Sequence, residues 1–251
     1  MSVSGYFSPS ALPEMIIFDY GQTLVDEVAF SGVDGTAELL RYAKKNPLGL
    51  DAAAVQDKAD EFNRLIGSFD RSRRHLLITE VHNHCFQNIL YESLGIELSL
   101  TPDEREDIFW RAATPKAKPC EGISELLGLL HRRGIRTGVI SNISYSGRAL
   151  KKRINELLPE NRFEFFIASS DYVFRKPQSP LFELALYKSG LTADRVWYCG
   201  DNPKCDIVGA HSVGMTGLLY TRACEPRPDS MGAELVISDW RELYELIEKI
   251  K

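Results

Sequence analysis

Met15-Ile16-Ile17-Phe18-Asp19-Tyr20-Gly21-Gln22-Thr23-Leu24 runs four apolar residues straight into a carboxylate, a glycine and a threonine. An unbroken apolar run of this length is the pattern of a strand buried on both faces, as in a parallel sheet. The polar residues after it form a loop at the strand's carboxyl end, with Asp19 at the tip. In open α/β sheets the crevice outside those ends receives the ligand. Asp19 is therefore a nucleophile, a metal ligand or both, with capping of the following turn as the plain structural alternative.

Outward from that strand, the chain divides. Residues 1–13 carry Ser, Pro and Gly and read as a loose arm. From about Asp26 to Ala117 the pattern is helical and no strand is expected. Val55, Ala59, Phe62, Ile66 and Phe69 fall on one helical face, and Thr101-Pro102-Asp103-Glu104 is a helix start with its capping box. Beyond this block, helices and strands alternate. Helices are expected at 123–131, 145–158, from Ser179 as cap with Pro180 as first residue, and around 207–211. Strands are expected at 135–140, 163–168, 196–199, 216–220 and 234–237, with a final helix after them. Alternation of this kind predicts an α/β fold, a Rossmann-like parallel sheet sandwiched by helices, with an all-helical cap inserted after the first strand. The expected domains are a core of residues 14–25 and 118–251 and a cap of residues 26–117.

With 251 residues the chain is long enough for one large core and a modest insertion. Thirty basic against thirty-five acidic residues give a net charge of -5, so no basic field invites nucleic acid or a membrane surface. The five cysteines, Cys85, Cys120, Cys199, Cys205 and Cys224, show no paired metal spacing and read as reduced thiols. No signal peptide and no membrane-length apolar run are seen, which makes a cytoplasmic location the expectation. The oligomeric state is not legible.

Strand ends converge on one edge: Asp19, then Ser141-Asn142, then Gly200-Asp201-Asn202-Pro203-Lys204-Cys205-Asp206, with Lys176 in Phe174-Arg175-Lys176-Pro177 after the strand at 163–168. These four motifs, which run Asp19, Ser141, Lys176 and Asp201 along the chain, resemble the haloacid dehalogenase superfamily of Asp-nucleophile hydrolases from Met15 to about Tyr220. Pro119-Cys120-Glu121-Gly122-Ile123 to Gly134 is similar to that family as well. The resemblance implies Asp19 as nucleophile and a Mg²⁺ ion held by Asp19, Asp201, Asp206 and the Gly21 carbonyl. It also implies Lys176 holding the nucleophile and phosphoryl group, Ser141 and the Asn142 N–H on a phosphoryl oxygen, and Thr23 rejoining the motif in a substrate-binding role. The chemistry is consistent: a phosphate monoester repels an anionic nucleophile until a cation neutralises both, and Mg²⁺ prefers hard oxygens.

One position departs. Phosphatases of the resembled family carry a second Asp two residues after the nucleophile, which protonates the leaving group and later activates water; here that position is Gly21. Acid–base help of this kind is typically worth roughly 10²–10⁴-fold. The expectation is a Mg²⁺-dependent phosphohydrolase acting on a small phosphorylated metabolite, favouring activated leaving groups. The alternatives are an idle relative that binds a phosphorylated ligand or a partner and, less supported, a phosphonatase-like enzyme with a Schiff-base Lys from the cap.

Other features read as structural. Asp26 and Glu27 are expected as hinge residues, and Lys44, Lys45 and Lys58 as solvated cap lysines. His82 and His84, two apart, are expected on different sides of a helix, with His75 and Cys85 nearby. Arg71, Arg73 and Arg74 read as a helix end, Lys151-Lys152-Arg153 as a surface charge run, and His211 as structural.

Overall fold

The computed structural model describes residues 11–67, 76–222 and 229–250. Phe69, Arg71, Arg73, Arg74, His75 and Cys224 lie outside the described residues. The chain enters through β1 (Met15–Phe18), turns through the Asp19 loop and forms β2 (Val25–Asp26). Then come α1 (Gly32–Leu40), β3 (Ala43–Lys45), α2 (Ala52–Ile66), α3 (Asn83–Ser93), β4 (Glu97–Leu98) and α4 (Pro102–Ala113). β5 (Lys118–Pro119) pairs antiparallel with β2, so the chain leaves and re-enters the sheet region side by side. There follow α5 (Ile123–Arg132), β6 (Arg136–Ser141), α6 (Gly147–Leu157), β7 (Phe163–Ala168), α7 (Ser169–Tyr172) and α8 (Ser179–Ser189). β8 (Val196–Gly200), α9 (Val208–Ser212), β9 (Thr216–Tyr220), β10 (Leu235–Ile237) and α10 (Trp240–Lys249) complete the described chain.

Among the described residues one six-stranded sheet runs β10-β9-β8-β1-β6-β7, with every pair parallel. β1 is therefore central, flanked by β6 and β8. Successive side chains of a strand point to opposite faces, and β1 shows the consequence. Ile16 and Phe18 join the core made with α5, α6 and α10, whereas Met15 and Ile17 join the one beneath α8. All four are fully buried, each contributing about 1.5–3 kcal/mol of transfer free energy. The same parity sends Tyr20 toward the first core and Asp19 toward the α8 side.

The inserted helices hold a separate apolar cluster of Leu39, Val55, Ala59, Leu90, Tyr91 and Ile96. Thr101 caps α4 with the expected capping box to Glu104. Two local expectations need correction. The inserted block is not free of strands: β3 and β4 form a short antiparallel ribbon, with Lys45 and Glu97 paired across it at 2.7 Å. Two or three exposed residues carry no apolar alternation by which to be read. At α8, Ser179 is already helical and Gln178 occupies the cap position without a side-chain hydrogen bond.

The inserted block is fastened to the sheet region at two places. The Trp110 and Tyr145 rings stack with centroids 4.2 Å apart. On the other side, Glu80 N–H donates to Val173 O at 2.6 Å and Arg175 N–H to Ile78 O at 2.9 Å. The Glu80 carboxylate also accepts from the Arg175 guanidinium, one residue before Lys176.

Candidate active site

Asp19 follows β1 directly, and its N–H makes a further ladder bond to Cys199 O of β8 at 2.8 Å. Its Oδ1 accepts from Lys176 Nζ at 2.7 Å. Lys176 also donates to Asp206 Oδ1 at 2.6 Å and to the Tyr198 hydroxyl at 2.8 Å, and is only 2% exposed. Burial opposes the ammonium charge, but the two carboxylates outweigh it and hold the Lys176 pKa well above the ordinary lysine value. One ammonium group thus ties the Asp19 loop to the loop after β8.

Asn142 places that lysine from below. Its side-chain Nδ2 donates to Lys176 O at 2.9 Å and its Oδ1 accepts from Lys176 N–H at 2.7 Å. The clasp joins the end of β6 to the loop before α8. It gives Asn142 a side-chain task that the sequence reading, which used only its main chain, missed. Tyr198 was missed as well: a tyrosine inside Val196-Trp197-Tyr198-Cys199 reads as core, and its ring does pack edge-on against Phe182. Only its hydroxyl, under the Lys176 ammonium, belongs to the site.

Asp201 and Asp206 come from the turn that follows β8. Asn202 caps the π-type turn Pro203–Ile207, accepting from the N–H groups of Lys204 and Cys205. Asp206 folds back so that its Oδ2 accepts from Asn202 N–H at 2.8 Å. Gly200 permits this, because a Cβ there would overlap the Asp206 carboxyl group. Asp206 is the buried anchor of the group, with both oxygens engaged, while Asp201 is its partly open face.

Oxygens of Asp19, Asp201 and Asp206 lie within 4.8 Å of one another. Three carboxylates share one ammonium, so negative charge is left over. Burial raises the Asp19 pKa to about 6, with Lys176 pulling it down and Asp206 pushing it up. Burial, then the charges of Asp19 and Asp206, raise Asp201 to about 8. Crowded carboxylates that resist ionisation together are what a divalent cation relieves, and a cluster of hard oxygens fits a metal such as Mg²⁺. The donor set therefore suits a divalent metal.

Ser141 closes β6, buried, at the same sheet edge. Thr23 is wholly buried and its hydroxyl has no hydrogen-bond partner, so its side chain lies inside the loop rather than on the open face of the site. At Gly21 a Cβ would meet nothing within 4 Å, and the backbone there is not left-handed. Neither packing nor conformation demands glycine at that place. The next residue, Gln22, is left-handed at φ 60° and accepts from the Arg222 guanidinium.

The other carboxylates of this loop are committed. Asp26 receives Arg222 at 2.8 and 3.3 Å. Glu27 accepts from Tyr20 OH at 2.8 Å and from Trp110 Nε1 at 2.9 Å, on the opposite face of β1. Both are buried or half-buried in these bonds, which corrects their reading as hinge surface residues. Of the lysines in the inserted block, Lys45 pairs with Glu97, Lys58 pairs with Glu61, and Lys44 is exposed.

Two further expectations change. Arg153 is not part of a surface run: it is buried and donates to Thr114 O and Oγ1 at 2.9 and 2.7 Å. His82 and His84 do not diverge, because His82 stands at the cap of α3, its Nδ1 accepting from His84 N–H, with ring centroids 4.5 Å apart. With the buried Glu106 they form a second polar group whose ligand atoms lie within 4.8 Å. Glu106 accepts from Ser146 N–H and Oγ and lies 3.6 Å from Arg148, so this group joins α4 to the start of α6. His211 pairs with Glu234 at 3.0 Å.

The parallel α/β sheet thus carries an acidic cluster and a buried lysine at its strand ends. The profile of the family described as haloacid dehalogenase-like hydrolase matches residues 77–219. The chain belongs to that family. The matched span includes Ser141, Lys176, Asp201 and Asp206 and begins after the Asp19 loop. The chain is 23% identical over 244 residues to the phosphoglycolate phosphatase of Pseudomonas fluorescens, covering 94% of this chain and 80% of that one. It is 29% identical over 137 residues to the glyceraldehyde 3-phosphate phosphatase of Methanothermobacter thermautotrophicus, covering 52% and 59%. A phosphoserine phosphatase of Thermus thermophilus matches at 27% over 84 residues, 34% of each chain. The chain thus spans 59% and about a third of the length of the latter two, respectively. In fold it is similar to a phosphatase of Thermococcus onnurineus, at 20% identity and a TM-score of 0.62, covering 93% and 97%. The 2-haloacid dehalogenase of Pseudomonas syringae matches with the same TM-score at 18%, covering 95% and 99%. Among the described residues no helix is long and apolar enough to cross a membrane.

Proposed function

We propose that the chain is a Mg²⁺-dependent phosphohydrolase that works through an aspartyl-phosphate at Asp19, on a small phosphorylated metabolite whose leaving group departs without protonation. The observation that carries this reading is the Lys176 ammonium set between Asp19 and Asp206, with Asp201 beside them. Asp19 Oδ1 is held by Lys176, which leaves Oδ2 to attack phosphorus. Ser141 and the Asn142 N–H are assigned to a phosphoryl oxygen. Asp19 and Asp201, with the Gly21 carbonyl and the charge of Asp206, are assigned to the metal, which when bound neutralises the approaching anions. Residues 26–117 serve as the cap over this core, excluding water and selecting substrate. The phosphatases matched in sequence support phosphate-ester chemistry. Hard-oxygen donors support Mg²⁺.

Gly21 favours a second reading, in which the protein binds a phosphorylated ligand without turning it over. A phosphonatase-like Schiff base has little support, since Lys45 and Lys58 are paired at the surface and Lys44 is exposed. Hydrolysis of an aryl and an alkyl phosphate, with and without Mg²⁺, separates the first two. The proposal expects aryl turnover that needs Mg²⁺ and vanishes in Asp19→Asn. Binding without turnover of either ester or of an acyl phosphate would favour the second.

A further inference from the structure

We infer that the phosphoryl group, once on Asp19, stays there: toward an acyl phosphate the protein is a phosphoryl acceptor that holds the group, and release to water is its slow step. This rests on the reading of Asp19 as nucleophile.

The two halves of the reaction need different help. In the first, Asp19 Oδ2 attacks phosphorus, the P–O bond to the donor breaks, and the electron pair leaves on the donor's carboxylate. Carboxylates are stable anions at neutral pH, with pKa values of about 4, so no proton has to move. An aspartyl-phosphate is itself an acyl phosphate, and exchange from one carboxylate to another is nearly level in free energy. An alkyl phosphate differs on both counts, since its alkoxide needs a proton and the transfer runs uphill. The chemistry therefore selects an acyl phosphate as donor.

In the second half water attacks phosphorus, the P–Oδ bond breaks, and inorganic phosphate leaves with the Asp19 carboxylate restored. Here the nucleophile is always water, and a base must take its proton. Among the described residues, the structure assigns the surrounding carboxylates elsewhere. Asp26 is bound by Arg222 through both oxygens. Glu27 accepts from Tyr20 and Trp110. Glu80, brought in by the cap, accepts from Ser169 and Arg175. Asp206 is bound by Lys176 and Asn202 N–H, and Asp201 faces the cation site. Lys176, protonated between two carboxylates, accepts nothing. On the nucleophile loop the space in front of Gly21 is open, and there is no side chain there to fill it. General-base help is typically worth roughly 10²–10⁴-fold, and its absence falls on the second half alone.

The test uses the full chain with Mg²⁺ and acetyl phosphate labelled in its phosphoryl group. Quenched samples are read by intact mass and bound label, and a chase with unlabelled donor gives the lifetime. The expected result is a burst approaching one phosphoryl group per chain, followed by turnover at the rate at which the label is lost. Asp19→Asn takes up no label. Gly21→Asp does not accumulate it and turns over faster by roughly 10²–10⁴-fold, whereas Gly21→Asn, equal in size but without a base, retains it. A comparison free of variants sets the lifetime of the label on the native protein against that on the same phosphoprotein unfolded in urea; the two should be similar. Linear phosphate release without bound label, abolished by Asp19→Asn, would overturn the inference while leaving Asp19 as nucleophile. No label and no turnover in either the natural protein or a folded Gly21→Asp would overturn the reading beneath it.

Discussion

Replacing Lys176 by methionine keeps an unbranched stem and removes the cation that joins Asp19 to Asp206. The ammonium is 2.7 Å from one carboxylate and 2.6 Å from the other, and both Lys176 and Asp206 are almost wholly buried. Taking away one partner of a buried pair strands the remaining charge and costs about 3–5 kcal/mol. For a chain of this size each kcal/mol moves Tm by about 2–4 °C, so Lys176→Met should lower it by about 6–20 °C. Urea unfolding in metal-free buffer at neutral pH, for Lys176→Met, Asp206→Asn and the double variant, is the assay. The double variant should be more stable than the sum of the two losses, because the second change removes the charge stranded by the first. Mg²⁺ should restore part of the stability of Lys176→Met, where a divalent ion takes over some of the lost countercharge. A loss below about 1 kcal/mol with no coupling to Asp206 would place the pair in the range of a solvated ion pair, and the reasoning about this site would fail.

Other consequences are checked in the same way. Asn142→Ala leaves the Lys176 N–H and C=O without their clasp, at a cost of about 1–3 kcal/mol; the urea midpoint should fall and transfer to Asp19 should slow even though Lys176 is present. Mg²⁺ should raise the thermal midpoint of the natural protein, by the equivalent of about 2.7 kcal/mol at a hundred times its Kd, and Asp201→Asn should abolish the rise. At the junction of α4 and α6, burial pushes the Asp107 carboxyl upward, but hydrogen bonds from Arg148 and Lys152 outweigh it and hold its pKa below the usual value. A carboxylate lowered on folding contributes stability above its unfolded pKa and loses it as pH falls through the folded one. Asp107→Asn should therefore cost about 0.5–1 kcal/mol near neutrality, as for a partly solvated pair, and show a shallower loss of stability below about pH 4.

The strands of the sheet were legible because a doubly covered parallel strand is a bare apolar run, and the helices between them because each keeps one apolar face. The corners of the site were legible for a related reason. Asp19, Ser141 and Asp201 are polar residues placed where such runs stop, and Asp206 lies in the turn that follows the last of them. What escaped the sequence depends on contacts between distant segments. Asn142 reads as a turn residue until the loop before α8 lays the Lys176 main chain against its amide. Tyr198 reads as core because its ring is core, and only the hydroxyl reaches the lysine. Arg222 follows β9 in a stretch with no periodicity, and nothing local indicates that it binds Gln22 and Asp26 some two hundred residues earlier. His82 was misread for a nearer cause: a helix start one residue later makes it a cap, and capping turns its ring back over His84.

The most direct test of the central claim, that Asp19 is a nucleophile supported by Lys176 and a metal beside Asp201, is fluorine NMR of the protein with Mg²⁺ and beryllium fluoride. Beryllium trifluoride bonded to an aspartate imitates its phosphorylated form. Bound fluorine resonances are expected that require Mg²⁺, that are lost in Asp19→Asn, and that persist in Gly21→Asp. Resonances that survive Asp19→Asn, or none in the natural protein at saturating Mg²⁺, would contradict that claim.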